Sequence, residues 1–236
     1  MLAALDRSLI SELPLFTGLA GNALDRILEP ATSIRCAAGD AVFEQGEPAT
    51  RFFVLLHGRL RVTQITGEGQ QVVVRIINPG DLFGMAKALN RDDYPGTAMA
   101  VVDTTALAWP MEFWDDLLLA HSRLALNATQ AIGQRLEDAH VRVREFATEE
   151  VERRVAHAVL RLAAQAGRAA PEGIRIDFPI SKQDIASMTA TTMYTVSRVL
   201  SAWQRAGLVD VGRQQLVVCD AHRLMMIGDG HERGLL

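Results

Sequence analysis

Residues 189–203 read TATTMYTVSRVLSAW, and the way this stretch folds decides how the rest of the chain is organised. Spacings of three and four put Tyr194, Ser197 and Arg198 on one face of a helix. Val196, Val199, Leu200 and Trp203 repeat at the same spacing on the opposite face. The helix is therefore apolar behind and carries a phenol, a hydroxyl and a guanidinium in front. A second helix precedes it: Ser181-Lys182-Gln183-Asp184 resembles a capping box, with Asp in place of the usual Glu, and opens a helix to about Met188. Three or four residues join the two helices, and Gly207 ends the second. LVDVGRQQLVVCD, residues 208–220, then reads as a hairpin with Gly212 and Arg213 at its tip.

Helix, short turn, helix, hairpin is the order of a winged helix-turn-helix. Ile185 and Ala186 on the first helix face Val196 and Leu200 on the second, and a small side chain at 186 lets the helices cross closely. The polar face then has a purpose in a DNA major groove. Arg198 can donate two hydrogen bonds to guanine O6 and N7. Ser197 can reach a base edge or a phosphate, and Thr192 and Thr195 lie at the helix start, where phosphate contacts are common. Lys182 on the first helix and Arg213 on the wing are candidates for phosphate contact. The alternative is an unrelated helical face, since a Ser-Arg pair on a helix is common.

Working outward, residues 33 to about 110 hold the β-rich runs VFEQG, RFFVLLHGRLRVTQ, QQVVVRII and TTALAW, separated by the turn signals AAGD, QGEPA, HG, TGEGQ and NPGD. Turns every ~8–12 residues indicate an antiparallel sandwich or barrel. ISELPLFTGL and NALDRIL form a short helical opening. From about Glu112 to Phe146 the period becomes helical. Ala125, Thr129, Ile132, Leu136, Ala139, Val143 and Phe146 step by alternating four and three, the seam of a parallel two-stranded homodimer. A helix packed on its own domain is the alternative. TEEVERRVAHAVLRLAAQAG, residues 148–167, is a further helix that Gly167 can end in a left-handed cap, and IRIDFPI is a strand. These regimes divide the chain into residues 1–111, 112–146 and 147–236.

Bulk composition sets limits. The 236 residues are 49% hydrophobic and 22% charged, as in an ordinary globular protein. No run of about 18 apolar residues suggests a membrane span. The opening MLAALDRSLISELPLF lacks the basic-then-apolar order of a secretory signal, so a cytoplasmic location is expected. Net charge is −4, but residues 1–147 hold 13 Lys and Arg against 18 Asp and Glu, while residues 148–236 hold 11 against 10. DNA affinity must then come from local placement of arginine. Cys36 and Cys219 are too few for a metal or iron–sulfur cluster made by this chain alone. No nucleophile–base set, phosphate loop or metal-ligand cluster stands out, so an enzyme is not expected. A regulatory cyclic-nucleotide module of an enzyme or channel would leave the winged helix without a role.

GDAVFEQGEPA (39–49), FFVLLHGRLRV (52–62), NPGDLFG (78–84) and TVSRVLSAWQRAGLV (195–209) resemble the CRP/FNR family of bacterial transcription regulators over nearly the whole chain. The resemblance implies an α+β chain: an N-terminal antiparallel β-roll of the cyclic-nucleotide-binding, jelly-roll type, a long dimerisation helix and a C-terminal winged helix-turn-helix. It implies a homodimer on a palindromic double-stranded operator, in contact with RNA polymerase. The family's recognition helix carries Glu-x-x-Ser-Arg; here Tyr194 replaces the Glu, which implies a half-site near TTGnn with a variant inner base. Cyclic-nucleotide members carry Phe-Gly-Glu-Leu and then Arg-Ser/Thr-Ala. In FGMAKAL and YPGTAMA, Met85 replaces the Glu and Gly96 the Arg, while Gly84, Thr97 and Ala98 remain. Losing that arginine removes roughly 1.5–3 kcal/mol of charge-assisted pairing. No cAMP site is expected, the alternative being a cyclic-nucleotide-responsive regulator with a degenerate pocket. The oxygen sensors' N-terminal cysteine cluster is missing, so no iron–sulfur cluster is expected. DDYPGTAMAVVDTTAL and YTVSR resemble the nitric-oxide-responsive Dnr/NnrR branch. That implies haem as a cofactor, His121 as the first axial ligand to test, and Tyr94 and Pro95 shaping a pocket with Gly84, Met85 and Thr97; a turn packing on the roll explains Tyr94 and Pro95 equally well.

Overall fold

The computed structural model describes residues 7–231 and forms two compact units, with the boundary between Asp138 and Ala139; Gln71–Val73 group with the second.

In the first unit, helices α1 (Arg7–Ser11) and α2 (Gly21–Leu28) precede two four-stranded antiparallel sheets. One sheet has the order β1 (Thr32–Cys36), β8 (Thr104–Pro110), β3 (Arg51–His57), β6 (Leu82–Phe83); the other has β2 (Ala41–Phe43), β7 (Thr97–Ala100), β4 (Leu60–Ile65), β5 (Gln71–Ile77). The run RFFVLLH is apolar without alternation because β3 is buried on both faces. Phe53 and Leu55 point between the sheets, joining Phe43, Leu60, Ile77, Phe83 and Tyr94. Phe52 and Val54 point the other way, to Leu107 and Trp109 of β8 and the helices behind them. Register follows: Phe52 pairs with Trp109 and Phe53 with Ala108. Trp109 Nε1 donates to the Ile27 carbonyl at 2.7 Å, which ties α2 to this face and satisfies the buried indole. The expected antiparallel β-roll is present.

The helical region after the roll is two helices, α3 (Phe113–Ala120) and α4 (Ser122–Thr148), interrupted where His121 leaves helical geometry at φ −128° and ψ 85°. Of the seam read from the sequence, Leu136 and Val143 are exposed and Ile132 is partly buried. Leu124 and Ala128 are buried in the first unit's core, and Ile132 packs against it. Ala125 and Ala139 are half-buried, and Thr129, exposed, donates its hydroxyl to the Ala125 carbonyl. Leu126, Leu136, Val143 and Phe146 are the exposed apolar side chains of α4. The helix thus has two apolar lines. A four-three step threads from one to the other, so the sequence could not assign Ile132 to its own unit.

The second unit contains α5 (Val151–Ala166), β9 (Gly167–Ala170), β10 (Gly173–Ile176), α6 (Lys182–Met188), α7 (Met193–Arg205), β11 (Val209–Gly212), β12 (Gln215–Val218) and α8 (Ala221–Gly228), with sheet order β11-β12-β10-β9. The expected left-handed cap at Gly167 is absent: its φ is −80° and ψ 139°, extended. Glycine is needed there for space, because a Cβ would strike the Ala163 carbonyl oxygen and Ile174. The chain passes directly into β9, a strand the sequence did not suggest. The wing hairpin pairs Gly212 with Gln215, so its tip is Arg213–Gln214, one residue later than read from the sequence, with Gln214 at φ 55°. Among the described residues no helix is long and apolar enough to cross a membrane.

Candidate nucleic-acid interface

Helix α7 is built from its ends inward. Ser181 caps α6: its hydroxyl accepts from the Asp184 N–H at 3.0 Å, and the Asp184 carboxylate accepts from the Ser181 N–H at 3.0 Å. Asp therefore does the work of the usual Glu. The turn to α7 closes with Ala190 at φ 49° and the Thr191 N–H donating to the Ala186 carbonyl. Arg154 of α5 donates to the Thr189 carbonyl at 3.1 Å, placing a cation at the C-terminal end of α6. Thr192 caps α7, its hydroxyl accepting from the Thr195 N–H at 3.1 Å and lying 3.0 Å from the Thr195 hydroxyl. Both threonines thus fix the helix start, and their oxygens meet each other.

Behind α7, Val196, Val199 and Trp203 are fully buried and Leu200 nearly so, against Ile185 and Ala186 of α6. Trp203 Nε1 donates to the buried Glu152 of α5 at 2.8 Å. This bond locks the helix to the body of the unit at a defined rotation. The front face is then forced outward. Tyr194 is 71% exposed and Met193 54% exposed; Arg198 is exposed and has no hydrogen-bond or ion-pair partner among the described residues. Lys182 Nζ donates to Ser197 Oγ at 3.1 Å. With one lone pair used, the Ser197 hydroxyl proton is directed away from Lys182, so the pair offers an ammonium and a hydroxyl donor together, a combination suited to a phosphate oxygen. Arg213 is exposed at the wing tip, and a groove of about 380 Å³ lies between α6, α7 and the wing, bordered by Lys182, Met193 and Arg213. Lys182, Tyr194, Ser197, Arg198 and Arg213 are thus brought to one working region, with Thr192 and Thr195 shaping its edge. Met193 is the addition that sequence reading missed, since a Met beside a reading position carries no motif.

The candidate effector residues of the roll are less united. Gly84 has φ +69°, and a Cβ there would press on Phe53 at 2.8 Å. Met85 is buried in the core shared with the helices. Tyr94 packs on the roll: its ring stacks on Phe43 with centroids 3.9 Å apart, and its hydroxyl donates to the Arg51 carbonyl at 2.8 Å. It fills the space between the sheets, and burial pushes its phenol pKa up. The Pro95 carbonyl accepts from Gln64, and the Thr97 hydroxyl accepts from the Gln45 N–H. Gly96 is buried, with a Cβ position only 2.7 Å from the Thr63 carbonyl oxygen, so an arginine could not stand here without moving β4. Of the six histidines, His57, His140, His222 and His231 are exposed, His157 lies beside Glu149 in the second unit, and His121 is half-buried at the α3–α4 break. Among the described residues no group of three or more His, Cys, Asp and Glu could hold a metal ion.

Comparison with known proteins agrees with this anatomy. The cyclic nucleotide-binding domain family matches residues 33–121, and the Crp-like helix-turn-helix domain family matches residues 153–227. The cyclic AMP receptor protein of Thermus thermophilus is 31% identical over 220 residues, 92% of this chain and 97% of that protein. The global nitrogen regulator of Synechocystis is 25% identical, over 91% of this chain and 95% of that protein. Among solved structures, FixK2 from Bradyrhizobium japonicum superposes with a TM-score of 0.72 at 21% identity, covering 83% of this chain and 96% of that one.

Proposed function

The chain belongs to the CRP/FNR family of DNA-binding transcription regulators, and from that premise we propose that it works as a homodimer reading a palindromic operator under the control of a small molecule other than cAMP. The observation that carries the DNA-reading part is the two-sided α7: Trp203 anchored to Glu152 behind, Arg198 free in front. In the dimer, two such helices enter successive major grooves about 34 Å apart. Arg198 reads guanine, Tyr194 alters the inner base of the half-site, and Lys182, Ser197 and Arg213 grip phosphates. RNA polymerase is the expected protein partner. A gel shift with operators selected from random palindromes tests this reading; a chain that binds selected and random DNA equally would refute it.

The exposed Leu126, Leu136 and Val143 supply the dimer contact. Leu136→Glu with Val143→Glu places like charges across that seam. The double variant is expected to sediment as a monomer and to bind operator at least about 100-fold more weakly, since one half-site remains per molecule. A dimeric double variant with full affinity would move the interface elsewhere.

The roll argues against two effectors. Met85 offers no carboxylate to a ribose, and a side chain at position 96 would meet the Thr63 carbonyl oxygen, so a phosphate-binding arginine has no room there. The nitric-oxide reading rests on the segment around Tyr94, which the fold uses as core, and on His121. Calorimetry with cAMP and spectrophotometric titration with hemin are both expected to be silent. Micromolar cAMP binding would restore the nucleotide reading, and a Soret band that shifts with nitric oxide would restore haem, with His121 the first ligand to replace.

A further inference from the structure

The groove of about 380 Å³ between α6, α7 and the wing has an interior that phosphate contacts leave unused. Its floor is the buried core of the second unit: Ile180, Ile185, Leu200 and Leu216. Val211 of β11 forms the wing side, and the thioether of Met193, 54% exposed at the start of α7, stands at the mouth. No lining residue carries a ring, so the apolar surface is aliphatic throughout. Three ordered elements set the walls. The Ser181–Asp184 box fixes the start of α6, the Trp203–Glu152 bond fixes the rotation of α7, and β11 is paired with β12. The volume falls within the range of about 300–1,000 Å³ that small molecules occupy in preformed sites.

The charge around the groove is one-sided. Lys182 and Arg213 border it, and none of its lining residues is acidic. Arg213 has no ion-pair or hydrogen-bond partner among the described residues, and Lys182 Nζ has a neutral hydroxyl, that of Ser197, as its partner. Asp184, next in the chain to the lining residue Gln183, is buried and bonded to the N–H and hydroxyl of Ser181 at 3.0 and 2.6 Å. An aliphatic groove edged by two cations and no anion suits a molecule with an apolar body and one anionic head.

We propose that this groove is a binding site for an aliphatic carboxylate, and that its occupation and DNA binding exclude one another. The inference rests on the assignment of Lys182 and Arg213 to operator phosphates. The acyl chain covers Leu200 and Leu216 beneath Met193, whose unbranched side chain adapts to it. The carboxylate accepts charge-assisted hydrogen bonds from Lys182 and Arg213. A cation paired in this way is withdrawn from a DNA phosphate. The competition takes place wholly within the second unit and needs no signal from the roll.

The test uses octanoate as the probe on the full chain, with octan-1-ol and 1-naphthoate beside it. Calorimetry is expected to show one octanoate per chain with a Kd of about 1 mM or tighter. Octan-1-ol, which lacks the charge, should bind about 10-fold more weakly or worse, and 1-naphthoate more weakly than octanoate. Lys182→Ala should weaken octanoate about 10-fold, and Gln183→Glu, a like charge at an exposed border position, about 3-fold or more. In a chain labelled at its methionine methyl groups, the Met193 resonance, assigned with Met193→Leu, should shift as octanoate is added. Octanoate at about ten times its Kd should raise the operator Kd at least about 10-fold. Equal binding of octan-1-ol, or tighter binding of 1-naphthoate, would refute the aliphatic carboxylate as occupant. An unmoved Met193 methyl would put the ligand outside the groove, and a ternary complex with operator would abolish the exclusion; either overturns the inference. Silence from octanoate does the same and leaves the DNA-reading account intact. A chain that binds octanoate at Met193 yet shifts no operator in its absence would keep the site and refute the DNA reading beneath it.

Discussion

Arg198→Ala is expected to lose operator affinity while keeping its grip on random DNA. A bidentate arginine on guanine discriminates by about 1–3 kcal/mol per half-site. Two half-sites in one dimer then make roughly 30-fold to more than 10,000-fold on the selected operator. On random sequence the loss should stay below about 10-fold, since the phosphate contacts proposed for Lys182, Ser197 and Arg213 would be untouched and are blind to sequence. The fold gives the reason for confining the effect to specificity: Arg198 is exposed and unpaired, so its removal leaves no buried group stranded. Equal losses on both DNAs would reduce Arg198 to one more phosphate contact. Lys182→Ala offers the contrast, weakening binding evenly and lowering the salt slope by about one.

The second large effect is on stability. Trp203 is fully buried, and its indole N–H is bonded to Glu152. Trp203→Ala empties the contact between α7 and α5 and should destabilise the second unit by about 3–5 kcal/mol in denaturant unfolding. Trp203→Phe keeps most of the volume and loses the hydrogen bond, leaving Glu152 Oε1 short of a donor, for about 1–3 kcal/mol. Both should weaken DNA binding only as far as they unfold the unit or let α7 rotate. If Trp203→Ala unfolds at the wild-type denaturant concentration, the anchor assigned to Trp203 is wrong.

The sequence was most readable where one face of an element is buried and the other is not. In α7 the 3.6-residue period separates Val196, Val199, Leu200 and Trp203 from Tyr194, Ser197 and Arg198, and the structure keeps that division at every position. The Ser181–Asp184 box was readable because capping is local chemistry, settled within four residues. Reading fails where two partners compete for one helix. Both apolar lines of α4 satisfy the same arithmetic, and only the packing of Leu124, Ala128 and Ile132 against the roll tells them apart. Gly167 misled because a glycine at a helix end has two explanations, a left-handed backbone or a crowded Cβ, and the second depends on Ile174 from the neighbouring strand. Tyr94 was open to two readings, a pocket residue or a turn residue packed on the roll, because its stacking on Phe43 depends on a strand far away in the sequence.

The central claim is that Arg198 reads the Hoogsteen edge of a guanine, and it can be tested at a single atom. In a selected operator, the guanine of each half-site is replaced by 7-deazaguanine, which lacks the N7 acceptor, and affinities are measured for the wild type and Arg198→Ala. The account predicts that the substitution costs the wild type about 10-fold or more per half-site and leaves Arg198→Ala unchanged. Equal losses in the two proteins, or none in the wild type, would contradict it.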